Sequence, residues 1–166
     1  MSEYSFTKID MNNFEEVKPL YKKAIEFMHS FGNTTQWTDD ESFFDEIRFA
    51  LNSGSSYKMT NKDGEIVCVF ALFKGPDPMY GKIVRGSWID EKPYYSIHKL
   101  ASTFTTHGLF KEVLYFAFNF TDTIRIDTHK DNVPMKKAII RNGFDYCGVV
   151  FAPDGTERVV FQKSKN

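Results

Sequence analysis

The sequence predicts an α+β domain built on a mixed, mostly antiparallel twisted sheet with helices on both faces. Three observations predict this class: strand and helix periodicities alternate along the chain, Gly-containing turns join strands as hairpins, and a central strand–helix–strand unit requires a parallel pair. The length suits one domain spanning residues 1–166. Aromatic residues make up 16% of the chain, which excludes an intrinsically disordered protein.

The first third of the chain predicts one strand and two helices. Residues 4–9 alternate weakly, as in a short strand. Apolar residues recur every three or four positions over 14–31, which predicts an amphipathic helix, and Asn13 with Glu16 predicts a capping box at its start. A second apolar face over 43–51 predicts a shorter helix.

The remaining elements follow the same kinds of signal. Two strands flank a hairpin turn at Asp63–Gly64, and two more flank the turn around Gly155. Between these hairpins, a helix that is apolar nearly all round indicates deep burial against a sheet. In chain order the predicted elements are strand 57–59, strand 66–73, strand 95–101, helix 109–120, strand 124–128, a helix from Asn132 to about Gly143, strand 144–151 and strand 158–162.

Charge, hydropathy and cysteine content narrow the possible classes. A net charge of −1 argues against a dedicated nucleic-acid-binding protein. No apolar run reaches the roughly 18 residues that span a bilayer, and the first residues lack the regions of a signal peptide. Cys68 and Cys147 fit two buried thiols better than a disulfide or a metal site. We therefore expect a cytoplasmic protein without a metal or a membrane partner, which could form a homodimer through an edge strand or an aromatic patch.

Residues 125–132, with Met135 and Gly143–Phe144 after them, resemble the strand, Asn-capped helix and Gly-Phe turn of the GNAT acetyltransferase superfamily. The order of elements resembles that superfamily over essentially the whole chain. Three further stretches resemble a subset of small bacterial members: residues 36–37, 86–88 and 97–102. The resemblance implies a GNAT-like fold and transfer of an acetyl group from acetyl-CoA directly to a primary amine of a small molecule or peptide.

The resemblance also implies a set of coenzyme A contacts. The family's pyrophosphate loop corresponds here to Thr105, Thr106, His107, Gly108, Leu109 and Phe110. Gly108 stands where a loop glycine lets the backbone approach phosphate, but Thr105 and Phe110 replace a basic and a small residue. The other implied contacts are Leu100, Ala101 and Ser102 and Asn132 for the pantetheine arm, and Lys137 and Arg141 for the 3′-phosphate.

The proton chemistry of amine acetylation makes a general base more important than a general acid. A lysine-like amine has a pKa of about 10.4, so its neutral form costs about 4.6 kcal/mol at pH 7, whereas leaving a thiol of pKa about 8.5 unprotonated costs about 2 kcal/mol. The candidate bases are His98, Asp127 and His129. For Asp127, an ion pair with Arg125 is an equally good explanation.

Three aromatic residues are candidates for the acceptor pocket because they lie in or beside irregular segments: Trp37, Tyr80 and Trp88. They could shield an amine from water or contact a cation, and core packing is the alternative. Where many family members have a catalytic tyrosine on the last helix, this chain has Ile139. The altered loop and the absent tyrosine favour a second hypothesis, a catalytically degenerate GNAT-fold module that binds a ligand or a partner.

Overall fold

The computed structural model describes residues 3–103 and 108–165, which form seven strands and four α-helices. The strands are β1 Ser5–Lys8, β2 Ser56–Thr60, β3 Ile66–Lys74, β4 Tyr95–Ser102, β5 Thr123–Thr128, β6 Asp145–Phe151 and β7 Glu157–Ser164. The helices are α1 Phe14–Ser30, α2 Glu41–Asn52, α3 Leu109–Ala117 and α4 Val133–Arg141. Two short 3-10 helices, Met11–Asn13 and Pro78–Gly81, were not predicted.

The seven strands lie in one mixed sheet in the order β1-β2-β3-β4-β5-β7-β6. Antiparallel pairs join β1 to β2, β2 to β3, β5 to β7 and β6 to β7, whereas β4 and β5 are parallel and are connected through α3. The predicted α+β class and its parallel pair are confirmed. No helix among the described residues is both long enough and apolar enough to cross a bilayer.

Contacts divide the chain into two compact units that interleave in sequence. The first unit takes the described residues within 1–72 and 99–113, and its core is formed by the apolar faces of α1 and α2 with Trp37, Val69 and Ala101. The second takes those within 73–98 and 114–165, and one of its clusters joins Tyr80 and Tyr94 to residues of β6 and β7. Both cysteines are buried and unpaired, as the sequence predicts.

The start of α1 and the end of α3 differ from the sequence-based predictions. Asn13 is the N-cap residue of α1, as predicted, but its side chain makes no capping hydrogen bond there, so the predicted capping box with Glu16 is wrong. The capping box lies on the preceding 3-10 helix, between Asp10 and Asn13. The Asp10 carboxylate accepts a 2.8 Å hydrogen bond from the Asn12 amide, and Asn13 Oδ1 accepts the Asp10 amide at 3.1 Å. Helix α3 ends at Ala117 rather than at 120, and the Asn119 side chain hydrogen-bonds the carbonyl oxygens of its last turn.

In the second unit, the segment between β3 and β4 packs directly on β6. Val84 and Val149 exchange two backbone hydrogen bonds of 2.8 and 2.9 Å. A Cβ atom on Gly86 would overlap the carbonyl oxygen of Cys147, and one on Gly148 would lie 2.7 Å from the carbonyl oxygen of Val84. Glycine at these two positions therefore allows the two backbones to lie in contact.

Candidate active site

His98 lies between two carboxylates in the second unit. It follows directly after Ile97, the last residue of β4 in the parallel register with β5. Its Nε2 atom is 2.7 Å from Oδ2 of Asp77, which is a short hydrogen bond. Its Nδ1 atom is 3.6 Å from Oδ1 of Asp127. The His98 side chain is 19% exposed, so the ring remains accessible to a small group.

Asp77 is held in place by donors on several sides. Its carboxylate caps the 3-10 helix Pro78–Gly81 by accepting the Met79 amide at 3.0 Å, and it accepts the Ser96 hydroxyl at 3.4 Å. The Asp77 amide donates to the Tyr94 hydroxyl oxygen at 2.7 Å. Burial alone would raise the pKa of Asp77, but the hydrogen bond and charge of His98 and these donors together lower it. Asp77 therefore presents an ionised carboxylate to His98.

Asp127 is fixed by a buried phenol and a guanidinium. The Tyr80 hydroxyl donates to Asp127 Oδ1 at 2.6 Å. Burial is the main cause that raises the pKa of Tyr80 well above its ordinary value, and the negative charge of Asp127 raises it further. This hydroxyl therefore keeps its proton. Arg158 forms an ion pair with Asp127 among the described residues, with its Nε 4.0 Å from Oδ2. The ion pair suggested with Arg125 is thus replaced by one with Arg158.

Arg125 has its own buried environment beside this group. Its guanidinium lies 4.0 Å from the ring centre of Trp88 and 4.2 Å from that of Tyr94. It donates to the Asp90 carbonyl at 2.8 Å and to the Gln162 side chain at 3.1 Å. Stacking between two aromatic faces with satisfied hydrogen bonds offsets the cost of burying this charge.

Two of the three predicted pocket aromatics lie together. The rings of Tyr80 and Trp88 are 5.3 Å apart, and Tyr80 is 5.8 Å from the His98 ring. The Trp88 indole donates to the Tyr80 carbonyl at 2.9 Å. Trp37 belongs to the first unit, where it is 7% exposed and packs on Tyr21 and Phe43. Its position is that of a core residue.

His129 is also buried, and its ring accepts a hydrogen bond from a neighbouring backbone amide. It follows the last residue of β5, and its Nδ1 accepts the Asp131 amide at 3.1 Å. Burial is the main cause that lowers the pKa of His129, and the positive charge of Arg158 lowers it further. The structure thus joins His98 and Asp127, two of the three candidate bases, and gives His129 a separate hydrogen bond.

In the first unit, β4 departs from regular strand geometry at Lys99. This residue has φ of +53°, in the left-handed region that non-glycine residues rarely occupy. Its carbonyl oxygen accepts a 2.7 Å hydrogen bond from the buried hydroxyl of Tyr21. Leu100, Ala101 and Ser102, the predicted pantetheine contacts, follow this irregularity, and Ala101 is buried whereas the other two are half-buried.

The predicted coenzyme A residues are described in part. Thr105, Thr106 and His107 lie outside the described residues. Gly108 is exposed with φ of +82°, Leu109 is buried as the first residue of α3, and Phe110 is half-buried.

The predicted contacts on α4 have the chemistry that a phosphorylated ligand requires. The Asn132 cap is confirmed, since its Oδ1 accepts the Met135 amide. Lys137 and Arg141 are exposed and one helical turn apart, so both can face one anion. The two basic side chains of α4 fit a ligand that carries a phosphate group.

Two residues of the site were missed in the sequence. Asp77 precedes Pro78, and Asp at an N-cap with Pro at the first helical position is a recognisable helix start. Arg158 carries no such signal, because nothing in the alternation of β7 separates a buried arginine from a solvated one.

Comparison with known proteins gives structural relatives only. No protein-family model matches the sequence, and no curated protein matches it. An acetyltransferase of the GNAT family from Streptococcus agalactiae matches with a TM-score of 0.85 and 25% identity, over 98% of this chain and 96% of that chain. One from Listeria monocytogenes matches with a TM-score of 0.69 and 20% identity, over 97% and 94%. An aminoglycoside N(6′)-acetyltransferase from Legionella pneumophila matches with 0.67 and 11%, over 99% and 93%.

These similarities extend over nearly the full length of both chains in each comparison. The chain has the acyl-CoA N-acyltransferase fold and is related to the GNAT superfamily, as the sequence predicts. The name of the Streptococcus agalactiae neighbour supports a reaction of the acyltransferase kind. The identities of 11% and 20% show the fold alone.

Proposed function

We propose that the chain is an N-acetyltransferase that moves an acetyl group from acetyl-CoA directly to a primary amine of a small molecule or peptide. The observation that carries this proposal is the position of His98, hydrogen-bonded to Asp77 and adjacent to Asp127, directly after the parallel register of β4 and β5 ends. The name of the Legionella neighbour, an aminoglycoside acetyltransferase, supports a small-molecule amine as acceptor.

The proposed role of His98 is that of general base. A primary amine is an ammonium ion at neutral pH, and removing its proton costs about 4.6 kcal/mol at pH 7. Histidine is the side chain best suited to accept that proton near neutrality. The carboxylates of Asp77 and Asp127 would stabilise the imidazolium that results, as a carboxylate does beside a catalytic histidine.

The residues proposed to hold acetyl-CoA fall on three segments. They are Leu100, Ala101 and Ser102 at the end of β4, Gly108, Leu109 and Phe110 at and just before the start of α3, and Asn132, Lys137 and Arg141 in and before α4. Thr105, Thr106 and His107, which lie outside the described residues, are proposed contacts as well. When bound, acetyl-CoA supplies an activated thioester carbonyl. The part of this chain is to orient the two ligands and to take up the proton. The proposed acceptor pocket includes Tyr80 and Trp88.

The second candidate function is a catalytically degenerate module with the same fold. Phe110 stands where the family has a small loop residue, and Ile139, which is fully buried, stands where many members have a tyrosine. A bulky side chain in a phosphate loop favours loss of cofactor binding. This alternative therefore differs from the first in one measurable property, affinity for acetyl-CoA.

Calorimetric titration with acetyl-CoA, followed by detection of free thiol with a panel of amines, tests the proposal. The panel contains an aminoglycoside, a polyamine, an amino acid and a peptide with a free amino terminus. We expect binding, thiol release with at least one amine, and loss of release in His98→Gln but not in Glu26→Gln, an exposed residue on α1. No binding at millimolar acetyl-CoA would refute the enzyme and leave the degenerate module.

A further inference from the structure

The two ring nitrogens of His98 have different surroundings, and this difference assigns each a different role. Nε2 lies 2.7 Å from a carboxylate oxygen of Asp77, within hydrogen-bond distance. Nδ1 lies 3.6 Å from a carboxylate oxygen of Asp127, beyond hydrogen-bond distance. A neutral imidazole carries one proton, so these two distances determine which nitrogen keeps it.

Asp77 determines the tautomer. An ionised carboxylate has only acceptors, and the donors of Met79 and Ser96 already approach the Asp77 oxygens. At 2.7 Å the partner of Asp77 Oδ2 must be a donor, so Nε2 of His98 carries the proton. The neutral ring then keeps its lone pair on Nδ1. The cap of the 3-10 helix and the bond from the Asp77 amide to Tyr94 fix the carboxylate that imposes this choice.

Asp127 places a second acceptor beside that lone pair. Its Oδ1 accepts the Tyr80 hydroxyl at 2.6 Å, and a carboxylate oxygen has a further lone pair available. Arg158 lies beside the other oxygen, Oδ2. His98 Nδ1 and Asp127 Oδ1 are thus two acceptor atoms that lie 3.6 Å apart. An ammonium group carries three N–H donors on one small atom, which suits two adjacent acceptors.

We propose that His98 Nδ1 and Asp127 Oδ1 form the binding site for the ammonium group of the acceptor, and that Asp77 is a positioning residue that keeps Nδ1 free to accept its proton. The proton transfer deepens the proposed function and rests on it, whereas the tautomer and the ammonium site do not need acetyl-CoA. The N–H bond of the ammonium breaks, its proton bonds to Nδ1, and its electron pair remains on the amine nitrogen. The resulting imidazolium lies between two carboxylates.

Nitrogen-15 NMR of the histidine rings in the free protein tests the first half of this proposal. His98→Gln identifies the His98 signals among those of the four histidines. At a pH where the ring is neutral, we expect the Nε2–H form with an unprotonated Nδ1. A dominant Nδ1–H form in the wild-type protein would overturn the proposal.

Titration with n-butylammonium chloride tests the ammonium site directly. We expect a saturable shift of the His98 Nδ1 signal, whereas tetramethylammonium, which has the same charge and no N–H donor, shifts it at least tenfold less effectively. Asp127→Asn should weaken butylammonium binding tenfold or more, and Asp131→Asn, an exposed acid next to His129, should leave it unchanged. Equal responses to the two cations would overturn the site.

Kinetics with an active amine separate the two carboxylates. Asp77→Asn should lower kcat with little change in the KM for the amine and should increase the Nδ1–H population of His98, because an amide can donate to Nε2. Asp77→Glu, which keeps the acceptor, should restore the Nε2–H form. Asp127→Asn should mainly raise KM. If no amine is acetylated, the proposed function fails, but the NMR experiments still test the tautomer and the ammonium site, because they do not require acetyl-CoA.

Discussion

The hydroxyl of Tyr21 donates a 2.7 Å hydrogen bond to the carbonyl oxygen of Lys99, the residue of β4 whose backbone has φ of +53°. Tyr21 lies on α1 and is 2% exposed, so this bond joins the helix to the irregular point of the strand. Burial raises the pKa of Tyr21 far above its ordinary value, and the hydroxyl therefore remains a donor across the working pH range.

Tyr21→Phe removes that donor and leaves the ring in place. We expect the free energy of unfolding to fall by about 1–3 kcal/mol, because a partly buried carbonyl loses its partner. Urea denaturation measures the change. Tyr146→Phe, at a side chain that is 55% exposed, is the matched control and should change stability by less than about 0.5 kcal/mol. Equal effects of the two substitutions would contradict a structural role for the bond.

Substitutions at Lys99 test the backbone conformation itself. Asn adopts the left-handed region readily, whereas a β-branched Val does not. Both replacements lose the 3.7 Å contact of Lys99 with Glu46, so its loss cancels when the two variants are compared. We expect Lys99→Val to be less stable than Lys99→Asn by about 1–2 kcal/mol in chemical denaturation. Two variants of the same stability would mean that the strand relaxes to ordinary geometry.

Gly86 and Gly81 form a matched pair for testing how closely the segment after β3 lies on β6. A Cβ on Gly86 would overlap the Cys147 carbonyl, whereas one on Gly81 meets nothing within 4 Å. We expect Gly86→Ala to lower the free energy of unfolding by about 1–3 kcal/mol, because the added Cβ displaces the backbone. Each kcal/mol should lower Tm by about 2–4 °C. Gly81→Ala should leave Tm unchanged or raised. The prediction fails if both variants melt together.

His129 should make stability depend on pH below neutrality. Burial and Arg158 lower its pKa in the folded protein, while in the unfolded chain it titrates near 6.5. As pH falls through that value, the unfolded chain takes up a proton that the folded protein does not, so the free energy of unfolding decreases until the folded-state group also titrates. His129→Asn should reduce this loss in urea titrations between neutral and mildly acidic pH. An unchanged slope would contradict the assignment.

Local patterns were sufficient for most of the fold. Alternation and helical periodicity identify each strand and α-helix, and the apolar helix α3 correctly indicates the parallel crossover between β4 and β5. The 3-10 helix Pro78–Gly81 was missed because Pro and Gly near the end of β3 indicate a turn equally well. The end of α3 was misplaced because Phe118 and Phe120 continue the apolar pattern after the helix has ended.

The site was only half predictable, because its contacts join residues far apart in the chain. His98, Asp127 and Tyr80 were found from their residue types and from the family resemblance. Asp77 lies 21 positions from His98, and Tyr80 lies 47 positions from Asp127. No local periodicity contains such pairings, since they arise when the segment after β3 folds onto β5. The carboxylate that orients His98 is therefore visible only in three dimensions.

The stacking of Arg125 between Trp88 and Tyr94 bears on any attempt to redesign acceptor choice. Trp88 is an obvious target for mutagenesis because it neighbours Tyr80, yet its ring also covers a buried guanidinium. Replacing Trp88 would change stability together with acceptor selectivity, so many variants in a library randomised at this position would fail to fold before their activity could be measured. The better positions to diversify are exposed side chains on the same segment, since their replacement should affect stability less: Lys82, Ser87 and Ile89.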